Sequence, residues 1–159
     1  IMRKQPNSAM CFVCGIHDPI GLHLSFYNDE EGRVVAQWTP GEEHRGYPGV
    51  LHGGIAATLL DEAAGRVLTN RNLWMATARL ELRYRLPVPI GQPLTIIGEI
   101  VRLKSRSLEA RGEIRLQDGA VAVEANGLYV RIPEDRLARM QEDLRFWQVI
   151  PDEPNGEPR

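Results

Sequence analysis

The chain has 159 residues, about the length that a single hydrophobic core organises. Its residues are 43% hydrophobic and 25% charged, and 19 Lys plus Arg against 21 Asp plus Glu leave a net charge of −2. That balance gives no overall pull toward nucleic acid or anionic lipid, and no apolar run approaches the roughly 20 residues that span a bilayer.

Residues 1–10 carry no apolar, signal-like stretch and are expected to be loose. Cys11 and Cys14 are too few for a disulfide framework, which points to a reducing, cytoplasmic setting. With His17 and His23 they formally offer four zinc ligands. Zinc-finger histidines lie ~12 or more positions downstream of the cysteines, so the expectation is no metal and two reduced cysteines shaping a turn before Gly15.

Leu22, Leu24 and Phe26 then alternate with His23 and Ser25, and a turn-rich stretch leads to Val34, Ala36 and Trp38. Residues 53–69 are too long and too rich in Ala and Leu for a strand and predict a helix. That helix is apolar around most of its circumference, so it is expected to be buried. Leu80, Leu82, Tyr84 and Leu86 alternate with charged residues, as do Leu108, Ala110, Gly112, Ile114 and Leu116, and residues 93–103 are a further strand candidate. One dry and one wet face is the signature of antiparallel strands.

Asp118-Gly119 predicts a two-residue hairpin into a strand over 120–132. Pro133 suits the first turn of a second helix with Leu137, Met140 and Leu144 on one stripe, able to cap the sheet or support oligomer contacts. Residues 150–159, with three prolines, are expected to form a flexible tail behind one domain over 1–149. About six antiparallel strands wrapped around one buried helix make an α+β fold.

Chemistry enters with Asp61 and Glu62 inside the apolar helix, because buried carboxylates are costly without a partner. Glu62 has Arg66 four residues on, which reads as a surface-edge ion pair. Asp61 has no basic residue at helical spacing and lies on a stripe of small residues, including Gly54, Ala57 and Thr58. That suits either close approach of a substrate or a structural acid at a dimer seam or bonded to a neighbouring strand.

Ahead of the helix, His52, Gly53 and Gly54 occupy a helix start, where backbone N–H groups lack internal partners and favour negative charge. Such amides can hold an oxyanion, although Gly-Gly also suits a simple tight turn. The eight residues from Gly53 to Asp61 rise ~12 Å along a helix, too far to act on one carbonyl. The two halves must meet across a subunit interface or serve different atoms of a long substrate.

HGGIAATLLDEAAG, residues 52–65, closely resembles the helix motif of hotdog-fold acyl-CoA thioesterases of the phenylacetate-pathway (PaaI-like) type, within the 4-hydroxybenzoyl-CoA thioesterase superfamily. CFVCGIHDPIGLHLSF at 11–26, HRGYPGVLHGG at 44–54 and LELRYRLPVPIGQPL at 80–94 are similar to segments of that family, so the resemblance covers roughly residues 11–132. It implies a hotdog fold that pairs into homodimers or homotetramers with active sites at subunit interfaces.

It also implies that Asp61 is the base or nucleophile, that the Gly53 N–H binds the thioester oxygen aided by the Gly54 turn and His52, and that Thr77 helps to place water. An Asn of some members aligns with Gly46, which cannot supply that side chain. Arg102, Lys104 and Arg106 fall where the family often meets the nucleotide of coenzyme A, although a solvated hairpin tip explains them equally. Tyr84, Trp38 and Trp74 are expected in the core, with some of them lining an acyl pocket.

The expected function is hydrolysis of an acyl-CoA to free acid and thiol, with no cofactor and with coenzyme A as part of the substrate. The alternatives are a hydratase or dehydratase of the same fold and a non-catalytic acyl-CoA sensor.

Overall fold

The computed structural model describes residues 1–71, 73–143 and 147–152. Alternating apolar and polar side chains put one face of each long strand on the core. The seven strands are β1 (Arg3–Lys4), β2 (Tyr27–Asn28), β3 (Val34–Trp38), β4 (Met75–Tyr84), β5 (Leu94–Leu103), β6 (Ser107–Arg115) and β7 (Val121–Arg131). All pair antiparallel, in the spatial order β1-β2-β3-β5-β6-β7-β4.

Helix α1 (Gly53–Gly65) runs on into 3-10 turns over Arg66–Arg71, and α2 (Glu134–Asp143) follows the sheet. Because α1 intervenes between β3 and β4, β4 lands at the far edge, beside β7. This is the α+β architecture expected, with one strand more than the count of about six: the two-residue β1 and β2 are added and residues 22–26 drop out.

Helix α1 packs on β5, β6 and β7 through Ala56, Leu59, Leu60, Ala63 and Ala64, the i, i+3, i+4, i+7, i+8 stripe of an amphipathic helix. Its close approach depends on Gly98 and Gly112, which face each other across β5 and β6. A Cβ on Gly98 would lie 2.3 Å from the Ala63 carbonyl oxygen, and one on Gly112 would lie 3.1 Å from the Leu60 side chain. The helix is central, as expected, while Gly54, Ala57, Thr58 and Asp61 stay partly open on the opposite stripe.

Several local expectations also change. The opening residues are not loose: β1 pairs with β2, and Gln5, Asn7 and Ser8 are buried. Gln5 Nε2 donates to Asn28 Oδ1 and to the Arg66 carbonyl, and Asn7 Nδ2 donates to the carbonyls of Cys14 and Leu24.

Leu22, Leu24 and Phe26 point inward, but 22–26 is not a regular strand. Its N–H groups bond to the irregular turn at Phe12 and Val13, and His23 takes a φ of 54°. The β6–β7 connection is a three-residue loop rather than a two-residue one: Gly119, at φ 85°, donates to the Leu116 carbonyl. Pro133 stands just before α2 and accepts the Leu137 N–H. Leu144 and the tail from 153 onward lie outside the described residues.

Candidate active site

At the start of α1, His52 is the N-cap. Its Nδ1 accepts the Gly54 N–H at 2.9 Å, and its carbonyl accepts the N–H groups of Ile55 and Ala56. Among the described residues no acceptor takes the Gly53 N–H. The histidine therefore spends the Gly54 amide on capping and leaves the Gly53 amide as the donor that the helix start offers outward. Tyr84, from the far end of β4, donates its hydroxyl to the Gly53 carbonyl at 2.7 Å. Gly46 packs its backbone on His52, and no side chain stands there.

Two turns on, Asp61 accepts the Thr77 hydroxyl at 2.8 Å and the Tyr129 hydroxyl at 3.1 Å, both at Oδ1. Tyr129 also reaches the Asp61 carbonyl at 3.2 Å. Among the described residues Asp61 forms no ion pair. Burial, and then the Asp61 charge, push the Tyr129 hydroxyl above its ordinary range, so Tyr129 is a neutral donor.

Two local features aim these hydroxyls. A β-bulge between Thr77 and Arg79 interrupts the β4 register beside the acid, as bulges near functional side chains commonly do. The Tyr129 ring lies over Gly127, where a Cβ would sit 2.4 Å from it.

A cleft of about 190 Å³ adjoins the acid. Leu73, Trp74, Met75 and Trp147 give it apolar surface beside Asp61, Thr77 and Tyr129, and Trp74 stacks obliquely on Trp147 at 5.2 Å. Of the other aromatics, Trp38 packs on His44 away from the cleft. His52 and Gly53 do not line the cleft. Within one chain, then, the carboxylate and the amide donor stand apart on the same helix.

The Glu62–Arg66 pair forms at 2.7 Å but not at a surface edge, since the Arg66 side chain is only 4% exposed. It is sandwiched against Phe26 and Trp147 and bonds to Gln5 and Pro6, because the N-terminal segment folds over it.

Arg102, Lys104 and Arg106 are exposed at the β5–β6 turn, with Arg102 3.5 Å from Glu109. Strand register lines up Leu103, Leu108, Tyr129 and Thr77 across β5, β6, β7 and β4, so this turn lies at the Asp61 end of the sheet. At ~4.8 Å per strand, β5 is ~14 Å from β4. Tyr129 and Trp147 were not singled out from sequence; the one signal for Tyr129 was an aromatic two residues after Gly127 on the same strand face.

Residues 48–123 match the thioesterase superfamily profile. A protein of Saccharolobus solfataricus, provisionally named an esterase, is 31% identical over 108 residues, covering 67% of this chain and 76% of its own length. Acyl-coenzyme A thioesterase THEM4 of Bos taurus is 29% identical over 138 residues, 86% of this chain and 57% of that protein, so the chain spans little more than half of that relative.

The crystal structure of a thioesterase superfamily protein superposes with a TM-score of 0.72 at 32% identity, over 76% of this chain and 59% of the other. That of a hypothetical thioesterase protein from Streptococcus pneumoniae with coenzyme A gives 0.60 at 26%, over 63% and 81%. The sheet wrapped on α1 is the hotdog fold, and the chain belongs to the thioesterase superfamily.

Proposed function

We propose that this chain hydrolyses an acyl-CoA thioester to free acid and thiol, at sites shared between two copies. The observation that carries the reading is Asp61. It is a carboxylate held by two neutral hydroxyls and, among the described residues, by no cation, beside a partly apolar cleft of about 190 Å³. Asp61 takes a proton from water, whose oxygen attacks the thioester carbonyl carbon. The Gly53 N–H of the other copy holds the oxyanion, with His52 fixing the helix start around it. Collapse breaks the carbon–sulfur bond, and the departing thiolate takes the proton back from Asp61 as the free acid leaves. Arg102, Lys104 and Arg106 offer exposed cations to the phosphates of coenzyme A at the same end of the sheet.

The homologues support this reading by their names: an acyl-coenzyme A thioesterase in Bos taurus and a pneumococcal protein crystallised with coenzyme A. The test is thiol release from a panel of acyl-CoA substrates and from their truncated thioesters lacking the nucleotide. Asp61→Asn, which keeps the side-chain shape, should lose about 10²–10⁴-fold in kcat. Joint replacement of Lys104 and Arg106 by Ala should raise KM for the coenzyme A esters only. Near-wild-type turnover by Asp61→Asn would overturn the assignment, as would hydration of enoyl-CoA or tight binding without thiol release.

A further inference from the structure

We propose that Cys11, Cys14 and Glu62 form a binding site for a thiophilic divalent cation of the zinc class, clamping the N-terminal turn to α1. One ligand atom from each residue lies within 4.8 Å of the others. Zinc–sulfur and zinc–oxygen bonds of ~2.3 and ~2.1 Å place the ligands of one tetrahedral ion ~3.5 Å apart, so closing on an ion needs a shift of only about 1 Å. Cys-X2-Cys is the usual half-site spacing, and the third donor comes from a distant part of the chain, as in preformed sites. It is Glu62, not the histidines. His23 Nε2 is engaged with the Asp18 carbonyl, and neither His17 nor His23 joins the cluster.

The turn is built to present its sulfurs. Ser8 Oγ accepts the Cys11 N–H at 3.0 Å and lies 3.7 Å from the Cys14 sulfur, which fixes the turn around both cysteines. Gly15 closes the turn onto the Cys11 carbonyl at 2.7 Å, where a Cβ would lie 2.4 Å from that oxygen.

Two thiolates, the Glu62 carboxylate and the Arg66 guanidinium would be neutralised by one divalent ion. Arg66 Nε holds Glu62 Oε1 at 2.7 Å and so orients Oε2 as an outer partner orients a metal ligand. Cys11 is partly exposed, which leaves room for water as the fourth ligand.

The experiment is anaerobic titration of the reduced full chain with Co²⁺, read by thiolate-to-cobalt charge-transfer absorption and by metal content after gel filtration. One equivalent of Co²⁺ per chain, displaced by Zn²⁺, is expected. Cys11→Ser and Cys14→Ser should abolish the charge-transfer band, Glu62→Gln should weaken binding by about 10-fold or more, and Asp61→Asn should leave binding unchanged. Three outcomes would overturn the site: no saturable Co²⁺ binding by the wild-type chain, a band that survives Cys14→Ser, or a chain that keeps no metal and isolates as a Cys11–Cys14 disulfide. Metal content of the unmutated chain decides the matter even where a serine variant fails to fold.

Discussion

Tyr129 reaches Asp61 from β7 while Thr77 reaches it from β4, and the two hydroxyls converge on one carboxylate oxygen. A hydrogen bond to a charged group is worth ~1.5–3 kcal/mol, and here its work is to fix where the acid points. Tyr129→Phe removes the donor without changing the packing of a ring that is 1% exposed. Its kcat should fall roughly 10-fold with KM within about twofold, as for a positioning residue; an unchanged kcat would remove Tyr129 from the site.

The pH dependence has a definite sign. The neutral Tyr129 is the form that donates, and burial raises its folded pKa above the unfolded value. The stabilisation is therefore complete below about pH 10 and fades only as pH rises through the higher folded value. Wild type and Tyr129→Phe should accordingly differ by a constant factor up to about pH 10 in a pH series of kcat.

The placing of His52, Gly53 and Asp61 along one helix was legible because helical spacing is local. Tyr129 was not, because its contact with Asp61 joins residues 68 apart in sequence.

At the scale of elements, α1 and the long strands were legible from periodicity, and the failures share one cause. Residues 22–26 have the period-two pattern, but their partner is the irregular turn at Phe12 and Val13, so the ladder does not form. In β4 the alternation is real, yet Tyr84 is 55% exposed and Leu86, just past the strand, 44% exposed, because an edge strand has a neighbour on one side only. Burial is set by what packs against a face, and pattern alone does not say what that is.

The helix–sheet contact has a similar hidden determinant. At Gly98 an added methyl would meet backbone, the Ala63 carbonyl oxygen, whereas at Gly112 it would meet the movable end of Leu60. Gly98→Ala should therefore cost about 1–3 kcal/mol and several degrees in Tm, with Gly112→Ala costing less. Denaturant and thermal unfolding of the two variants would check the order; equal stability would mean that α1 does not press on β5 as described.

The whole molecule poses the question that one chain leaves open. The amide of Gly53 and the carboxylate of Asp61 are fixed ~12 Å apart by a single helix, and the stripe between them is open beside an unpaired edge strand. The proposed shared site requires a second copy laid against that stripe about a twofold axis, so that each amide meets the other's acid.

Gly53→Pro tests this cleanly. Position 53 is the first of the helix, where Pro is tolerated, and His52 already has the extended ψ of 131° that a following Pro requires. A Cβ there makes only ordinary contact with Tyr84 at 3.5 Å, so the loss is essentially that of the N–H. Alone, Gly53→Pro should lower kcat about 10²–10³-fold, and Asp61→Asn should be at least as damaged.

Co-expressed with different tags and purified as the mixed dimer, the two variants should recover about half of wild-type activity. One of the two sites then receives an intact amide from one chain and an intact acid from the other. A mixed dimer as inactive as its parents would mean that amide and acid do not cooperate across the interface, and the shared site would have to be abandoned.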